Sequence, residues 1–327
     1  KDNRIKFVCS SKGSAIALAD GEFISLIKQG DSLAVFALHE VVAALNRNKD
    51  ADLIYSDEDK IDSSGKRSEP FFKPDWSPDY FLSCNYINHL AVIRKSLVKD
   101  MDSEYDLLLR ITESAKKIVH VPKVLYHFNT DATDPNEDKN QEERSAITGS
   151  LRRRGLQAEV LETQYKGFYR VKYRILKPEK VSIIIPTKDK VEVLEKCIAS
   201  VLSKTTYNNY EIIIVDNGSV ESKTVEYYNS LKNDASRRVR VLKYDAPFNY
   251  SKMNNYAVKH STGYYLLFLN NDTEVISPDW MESMIEFAQR KTTGVVGAKL
   301  LFSNDTIQHA GVIIGVGGMA GHSHRFL

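Results

Sequence analysis

Three clusters of polar side chains in the second half of the chain each close an apolar run. Pro186-Thr187 ends "VSIIIPT", Asp216-Asn217 ends "YEIIIVDN", and Asn270-Asn271-Asp272 ends "GYYLLFLNND". Continuous apolar runs of this kind read as strands buried on both faces of a sheet. In an open α/β sheet, ligands bind in the crevice beyond the carboxyl ends of such strands. A carboxylate at an early strand end, here Asp216, can accept hydrogen bonds from a base or a ribose. A carboxylate with amide neighbours at a later strand end, here Asp272, can bind a hard divalent cation that neutralises a diphosphate. An Asn-Asn-Asp cluster is a weaker ligand set than two carboxylates, because Asn supplies only a carbonyl oxygen. No G-x-G-x-x-G follows the first strand and no G-x-x-x-x-G-K-[ST] occurs, so dinucleotide and P-loop readings lose support.

The elements that must position these residues alternate. After "VSIIIPT" (Val181 to Thr187), Asp189 with Glu192 three residues on reads as a capping box. Leu194, Cys197, Ile198, Val201 and Leu202 then share one helical face. "YEIIIVDNGS" (Tyr210 to Ser219), "VRVLKYD" (Val239 to Asp245) and a helix through "SKMNNYAVKHS" lead to the strand that begins at Gly263. The order β-α-β-α-β-α-β predicts a parallel, twisted sheet. The first half echoes it. "GEFISLIKQGD" begins at Gly21 and "GYYLLFLNND" at Gly263, each followed by a helix ("LAVFALHEVVAALN" and "PDWMESMIEFAQ"). The next strands open 31 residues after each glycine, at Asp52 and Gly294. Matching offsets predict a duplicated domain. Between the units, Asn129 to Ala146 is polar, and a short helix ("AITGSLRRRG") and two strands ("AEVLE", "FYRVKYRIL") follow. The expected organisation is a first unit over 1–130, a linker with a short helix and strands over 131–180, and a second unit over 181–327. A strand at Ile5 to Val8 with nothing before it to pair with, and an ending without a stop signal, suggest a fragment.

Composition sets outer limits. The 327 residues are 27% charged and 10% aromatic with a net charge of +2, so nothing points to nucleic acid. Cys9, Cys84 and Cys197 are odd in number and far apart, which fits a reducing compartment better than a disulfide framework or a Cys-based zinc site. No apolar run approaches the roughly 20 residues of a membrane helix. A cytoplasmic protein is expected, with "LRRRG" (Leu151 to Gly155) leaving room for peripheral contact with an anionic membrane, although a solvated helix face is the commoner meaning of such a run.

"VSIIIPTKD", "YEIIIVDNGS", "FNYSKMNNYAV", "LLFLNNDTEV" and "GAKLLFSNDTIQHAGVIIGVGG" together resemble the nucleotide-binding half of a family 2 glycosyltransferase of the GT-A fold. They are most similar to the tandem-domain bacterial enzymes of O-antigen and rhamnan-like surface polysaccharides. The resemblance implies an α/β fold with two related GT-A units. It implies that Asp216 contacts the base or ribose, that Pro186, Thr187 and Asn217 shape the nucleotide pocket, and that Asn254 and Asn255 lie by the donor. Asn270, Asn271 and Asp272 then fill the "DXD" place, with Mg2+ or Mn2+ on Asp272. "DADLIYSDEDKID", "FKPDWSPDYFLSCNYINHLAVIRKSL" and "YDLLLR" in the first half are similar to the acceptor side of the same family. On that likeness Asp57 and Asp59 line a donor or acceptor site, and Glu104 and Asp106 match the acidic motif that supplies the general base. In the first unit the "DXD" place reads Lys28-Gln29-Gly30, so a lost metal site is expected there.

The implied activity is inverting transfer of a hexose or deoxyhexose from a UDP- or dTDP-linked donor to a glycan or lipid-linked glycan. Two rivals stand beside it. One is a non-catalytic donor- or glycan-binding module, favoured by Lys28-Gln29-Gly30 and by a second unit that stops before any base motif. The other, a nucleotidyltransferase, needs a glycine- and basic-rich loop that "PTKDKVE" does not supply. His309, His322 and His324 make a weak metal pattern without a partnering carboxylate, and Trp76 reads equally as a sugar-stacking ring or as core.

Overall fold

The chain divides between Tyr173 and Arg174 into two units. The computed structural model describes residues 12–99, 103–130, 139–232, 238–315 and 318–327, so the strand expected at Ile5 to Val8 lies outside it. Among the described residues no helix is long and apolar enough to cross a membrane.

Unit 1 opens with α1 (Lys12–Leu18), β1 (Phe23–Ser25), β2 (Ser32–Leu33), α2 (Ala37–Arg47), β3 (Leu53–Ile61) and β4 (Arg67–Phe71). It continues with α3 (Pro78–Ser83), β5 (Val92–Arg94), a 3-10 turn (Lys95–Leu97), α4 (Glu104–Ser114), β6 (Ile118–Asn129), α5 (Lys139–Arg153), β7 (Ala158–Glu162) and β8 (Tyr169–Tyr173). The sheet runs β1-β5-β3-β6-β2, with β4 also on β3. Only β3 and β6 are parallel neighbours in it. Ala37, Val41 and Ala44 recur at helical spacing on α2, and that stripe packs on Ile54, Val92, Leu125 and Tyr126. Ser103 caps α4 by accepting the Asp106 N–H at 3.1 Å. The segment read as a linker carries α5, which starts at Lys139 and is longer than the sequence suggested, and the β7–β8 hairpin. Both gather with unit 1.

Unit 2 is built from β9 (Val181–Thr187), α6 (Val191–Lys204), β10 (Tyr210–Asp216), α7 (Ser222–Lys232), β11 (Val239–Lys243), α8 (Tyr250–Val258), β12 (Tyr265–Phe268) and α9 (Trp280–Ala288). The short strands β13 (Leu300–Leu301), β14 (Ile307–His309), β15 (Val312–Ile314) and β16 (Ala320–His322) follow. The main sheet runs β11-β10-β9-β12 and every pairing in it is parallel, as the alternation predicted. Ile183, Ile185, Ile212 and Ile214 face Leu194, Cys197, Ile198 and Val201 on one side, while Ile184, Ile213 and Val215 face Met253 and Ala257 of α8 on the other. Each such isoleucine contributes about 2 kcal/mol through its burial. That two-sided burial is why the apolar runs lack alternation.

The strand expected from Gly294 does not form. Residues 294–299 carry no strand, and Val295 is 92% exposed, with no layer to bury it. The equal offset from Gly21 and Gly263 therefore extends through the helix but not to the strand after it.

At the amino ends of the strands a buried acid fastens the sheet. Glu211 accepts from Ser182 Oγ at 2.7 Å and from the Thr262 N–H and hydroxyl at 2.9 and 2.8 Å, with Arg240 at 3.3 Å. Burial pushes this carboxyl up, but those hydrogen bonds and the Arg240 charge outweigh it and bring it down to about 2. A depressed carboxyl contributes stability that is full above its unfolded value and is lost as pH falls through its folded one. Glu211→Gln is therefore expected to cost about 2 kcal/mol at neutral pH, in the range of charged hydrogen bonds. The gap from wild type should close as pH falls from about 4.5 toward 2. Denaturant titrations at neutral and at acid pH check both points.

Candidate active site

The β9–β10 register places Thr187 opposite Asp216, so two of the polar ends lie level at one edge of the sheet. The Asn217 N–H donates to the Thr187 carbonyl at 3.0 Å, and the Asp216 carbonyl accepts from Tyr244 N–H at 2.8 Å. The third end joins them through side chains: Asn271 Nδ2 donates to Thr187 Oγ1 at 3.0 Å. Thr187, Asp216, Asn217 and Asn271 thus form one connected rim, with Pro186 half-buried beneath it. Asp216 and Thr187 are buried. Asp216 Oδ1 accepts from the Ser219 N–H at 3.1 Å and from Tyr228 Oη at 3.3 Å, which fixes the carboxylate's orientation. Burial, together with Asp216 itself, pushes the Tyr228 hydroxyl up, so it stays a proton donor to that acid. Asn217 Nδ2 is committed to the carbonyls of Ala246 at 2.8 Å and Tyr244 at 3.2 Å, so its amide group holds the β11 exit loop.

The loop after β12 is gripped from below by α6. Cys197 Sγ donates to the Asn270 carbonyl at 3.7 Å, Ser200 Oγ accepts from Val275 N–H at 3.0 Å, and Lys204 Nζ donates to the Val275 carbonyl at 2.7 Å. Burial pushes the Cys197 thiol up to about 11, which keeps it protonated and able to donate. Sequence reading placed Cys197 in the apolar stripe and passed over Ser200 and Lys204. Polar residues bordering such a stripe were the available signal. Asn270 and Asp272 are exposed at the top of this loop. On α8, Asn255 is exposed, while Asn254 is buried. Asn254 Nδ2 donates to the Tyr250 carbonyl at 2.9 Å, and its Oδ1 is buried without a hydrogen-bond partner. A buried orphan acceptor is the kind of group that a ligand or an ordered water satisfies.

Among the described residues no group of three or more His, Cys, Asp and Glu could by itself hold a metal ion. A Mg2+-like ion needs no such cage, because it keeps waters and takes one or two carboxylates plus substrate phosphate oxygens. The exposed Asp272 carboxylate, in the loop after β12, is of the type that such a donor set uses. His309 and His322 meet with their Nδ1 atoms 3.0 Å apart, the first half-exposed and the second exposed, and His324 lies against Ser323.

In unit 1 the acids expected at a site have different surroundings. Asp57 and Asp59 are buried and face protein partners instead of an open crevice. Asp57 Oδ1 accepts from the Lys73 N–H at 2.9 Å and lies 2.8 Å from His120 Nε2, and Asp59 meets His127 Nδ1 and Arg67 Nε, each at 2.5 Å. Between them Glu58 binds Lys73 Nζ at 2.7 Å and His89 Nδ1 at 2.9 Å. Burial pushes the Glu58 carboxyl up, but the His89 bond and the Lys73 charge hold it below the ordinary range. Three successive acids in a buried strand need partners, and that requirement was the signal for His89, His120 and His127, which sequence reading did not single out. Asp106 is likewise engaged, by Arg110 at 2.6 Å and Arg153 at 3.2 Å. Glu104, at the first residue of α4, borders a small cavity with Leu26, Asn88, Ala91, Ile93, Leu107 and Leu108. Lys28 Nζ sits 5.9 Å from the Phe128 ring centre, and Trp76 packs at 5.4 Å on Phe81.

Residues 182–312 match the model of the glycosyl transferase family 2 family. The uncharacterized protein y4gI of Sinorhizobium fredii is 41% identical over 335 residues, covering 96% of this chain. The O-antigen biosynthesis protein RfbC of Myxococcus xanthus is 36% identical over 345 residues, covering 98% of this chain. The chain spans 36% and 27% of the lengths of those two relatives. Among solved structures, a Pyrobaculum calidifontis mannosyltransferase in complex with GDP-Man and Mn2+ aligns at 16% identity with a TM-score of 0.34, covering 36% of this chain and 35% of that one.

Proposed function

We propose that unit 2, whose residues 182–312 match the glycosyl transferase family 2 model and whose main sheet is parallel, is the donor-binding half of an inverting glycosyltransferase of the GT-A kind. The donor is a UDP- or dTDP-linked hexose or deoxyhexose, and the acceptor a growing bacterial surface glycan, free or lipid-linked. The work is done in the cytoplasm, at the inner face of the membrane. Unit 1 is the later, acceptor-side part of a related domain, with Glu104 as its general base. The observation that carries this reading is the Asn271–Thr187 hydrogen bond, which draws the third strand end against the first two and closes one rim around Asp216.

Each residue then has a defined task. Asp216, oriented by Ser219 and Tyr228, accepts hydrogen bonds from the base or ribose. Thr187 and Pro186 form the floor, and the buried Asn254 Oδ1 is an acceptor for a donor hydroxyl or N–H. Asp272 holds Mg2+ or Mn2+, which when bound offsets the charge of the diphosphate leaving group. Within unit 1's own related domain, Glu104 would take the proton of an acceptor hydroxyl as that oxygen attacks an anomeric carbon from the face opposite its leaving group.

Calorimetric titration with UDP and with dTDP, with and without Mn2+, tests the donor site. Binding that needs Mn2+ and that Asp272→Ala weakens by about 100-fold or more, roughly 2.7 kcal/mol, is the expected result. If neither nucleotide binds with or without the ion, the donor-site reading fails and a non-catalytic module is the better account.

A further inference from the structure

Asp189 has no role in the site described above, yet its carboxylate and its backbone N–H are both engaged. Its spacing to Glu192 predicts an N-cap for α6, but the residue at that cap is Lys190, with no side-chain cap bond. Asp189 turns instead toward the exit of β10. Its Oδ1 accepts the N–H groups of Val220 at 2.8 Å and Glu221 at 3.0 Å, and its own N–H donates to Ser219 Oγ at 2.8 Å. One residue after β9 therefore holds Ser219, Val220 and Glu221, the segment that leads into α7. The Ser219 N–H in turn donates to Asp216 Oδ1.

The backbone here is costly. Asp189 and Lys190 have φ of +52° and +54°, two successive non-glycine residues in the left-handed region. Each such residue costs about 1–2 kcal/mol, and strain of this kind persists where surrounding bonds over-determine it. The carboxylate supplies those bonds, in a direction that also suits the exposed N–H groups ahead of a helix.

We infer that Asp189 is a positioning residue: it sets the Asp216–Ser219 turn, and through it the pose of the Asp216 carboxylate toward the nucleoside. The inference rests on the donor-site reading, and it adds a residue that acts through another one without touching the nucleotide itself.

Three variants separate position from chemistry. Asn at 189 tolerates the left-handed backbone and keeps an oxygen for both N–H groups. Gly relaxes the strain but removes the acceptor, and Ala removes the acceptor and keeps the strain. The readouts are calorimetric affinity for UDP and dTDP with Mn2+, amide exchange at Val220 and Glu221, and the unfolding midpoint. Asp189→Asn is expected to bind within about 3-fold of wild type, and Asp189→Gly to bind about 10- to 100-fold more weakly, the range set by two lost hydrogen bonds. Exchange at Val220 and Glu221 should speed up in the Gly and Ala variants and not in Asn, while the midpoint of the Gly variant stays near wild type. Wild-type affinity in Asp189→Gly overturns the inference, and so does an equal loss in Asn and Gly. If wild type binds neither nucleotide, the donor-site reading falls on its own. Exchange at Val220 and Glu221 then still decides, because unchanged exchange in the Gly variant removes the positioning role.

Discussion

Gly263→Ala is expected to lower the stability of unit 2 by about 3 kcal/mol, the upper range for overpacking a site that cannot relax. Nucleotide binding should fall with it. A Cβ built at residue 263 would lie 2.5 Å from Ser182 N, 2.6 Å from Ser182 Oγ and 2.9 Å from the Lys180 carbonyl. Two of these are backbone atoms of the segment that opens β9, the central strand, so no side-chain rotation clears the clash. The Gly263 N–H also donates to Ser182 Oγ at 2.8 Å, and Ser182 Oγ donates in turn to the buried Glu211. Relief therefore requires β12 to shift away from β9. That shift would carry Asn270 to Asp272 with it and break the Asn271–Thr187 contact at the other end. Denaturant unfolding measures the first effect, and UDP titration at a temperature where the variant is still folded measures the second. A variant that unfolds at the wild-type midpoint would show that β9 and β12 are not packed as described.

How much of this was legible beforehand depends on whether an element is specified by its own residues or by a partner far along the chain. β9 was placed from Val181 to Thr187 by sequence and ends there, because its isoleucines are buried on both faces and Pro186 and Thr187 interrupt the apolar run. The parallel order followed from the alternation of elements. Asp189 was misread because an Asp-x-x-Glu pattern specifies a cap only if nothing competes for the carboxylate. Here the N–H groups of Val220 and Glu221, about thirty residues on, do compete, and no local spacing reveals them. The repeat that began at Gly21 and Gly263 misled at Gly294 for a related reason. A strand needs a neighbour to pair with, and β3 has β6 whereas Val295 has none. Asp57 and Asp59 were expected to line a site on the family likeness of "YSDEDKID". Their burial against His120, His127 and Arg67 could not be read from "YSDEDKID" alone.

The acidic pair on α4 should split into two different phenotypes. Glu104→Gln is expected to lower sugar transfer by about 100- to 10,000-fold, the range for removing a general base. Asp106→Asn is expected to cost about 2 kcal/mol of unit 1 stability, since its pairs with Arg110 and Arg153 are only partly shielded from solvent. Both residues lie in the first turn of α4, and their surroundings separate them. Asp106 is buried, its Oδ2 takes Arg110 Nε and its Oδ1 takes Arg153 Nη1, so both oxygens are engaged within the protein. With each oxygen taken by a guanidinium group, the Asp106 carboxylate is committed to contacts within unit 1. Glu104 borders the cavity with Asn88 and Leu26 at the first residue of α4. Transfer from a labelled UDP- or dTDP-sugar, set beside the unfolding midpoint of each variant, distinguishes the two. If Asp106→Asn abolishes transfer at an unchanged midpoint while Glu104→Gln is active, the base lies at Asp106 and the arginines hold it poised instead of silent.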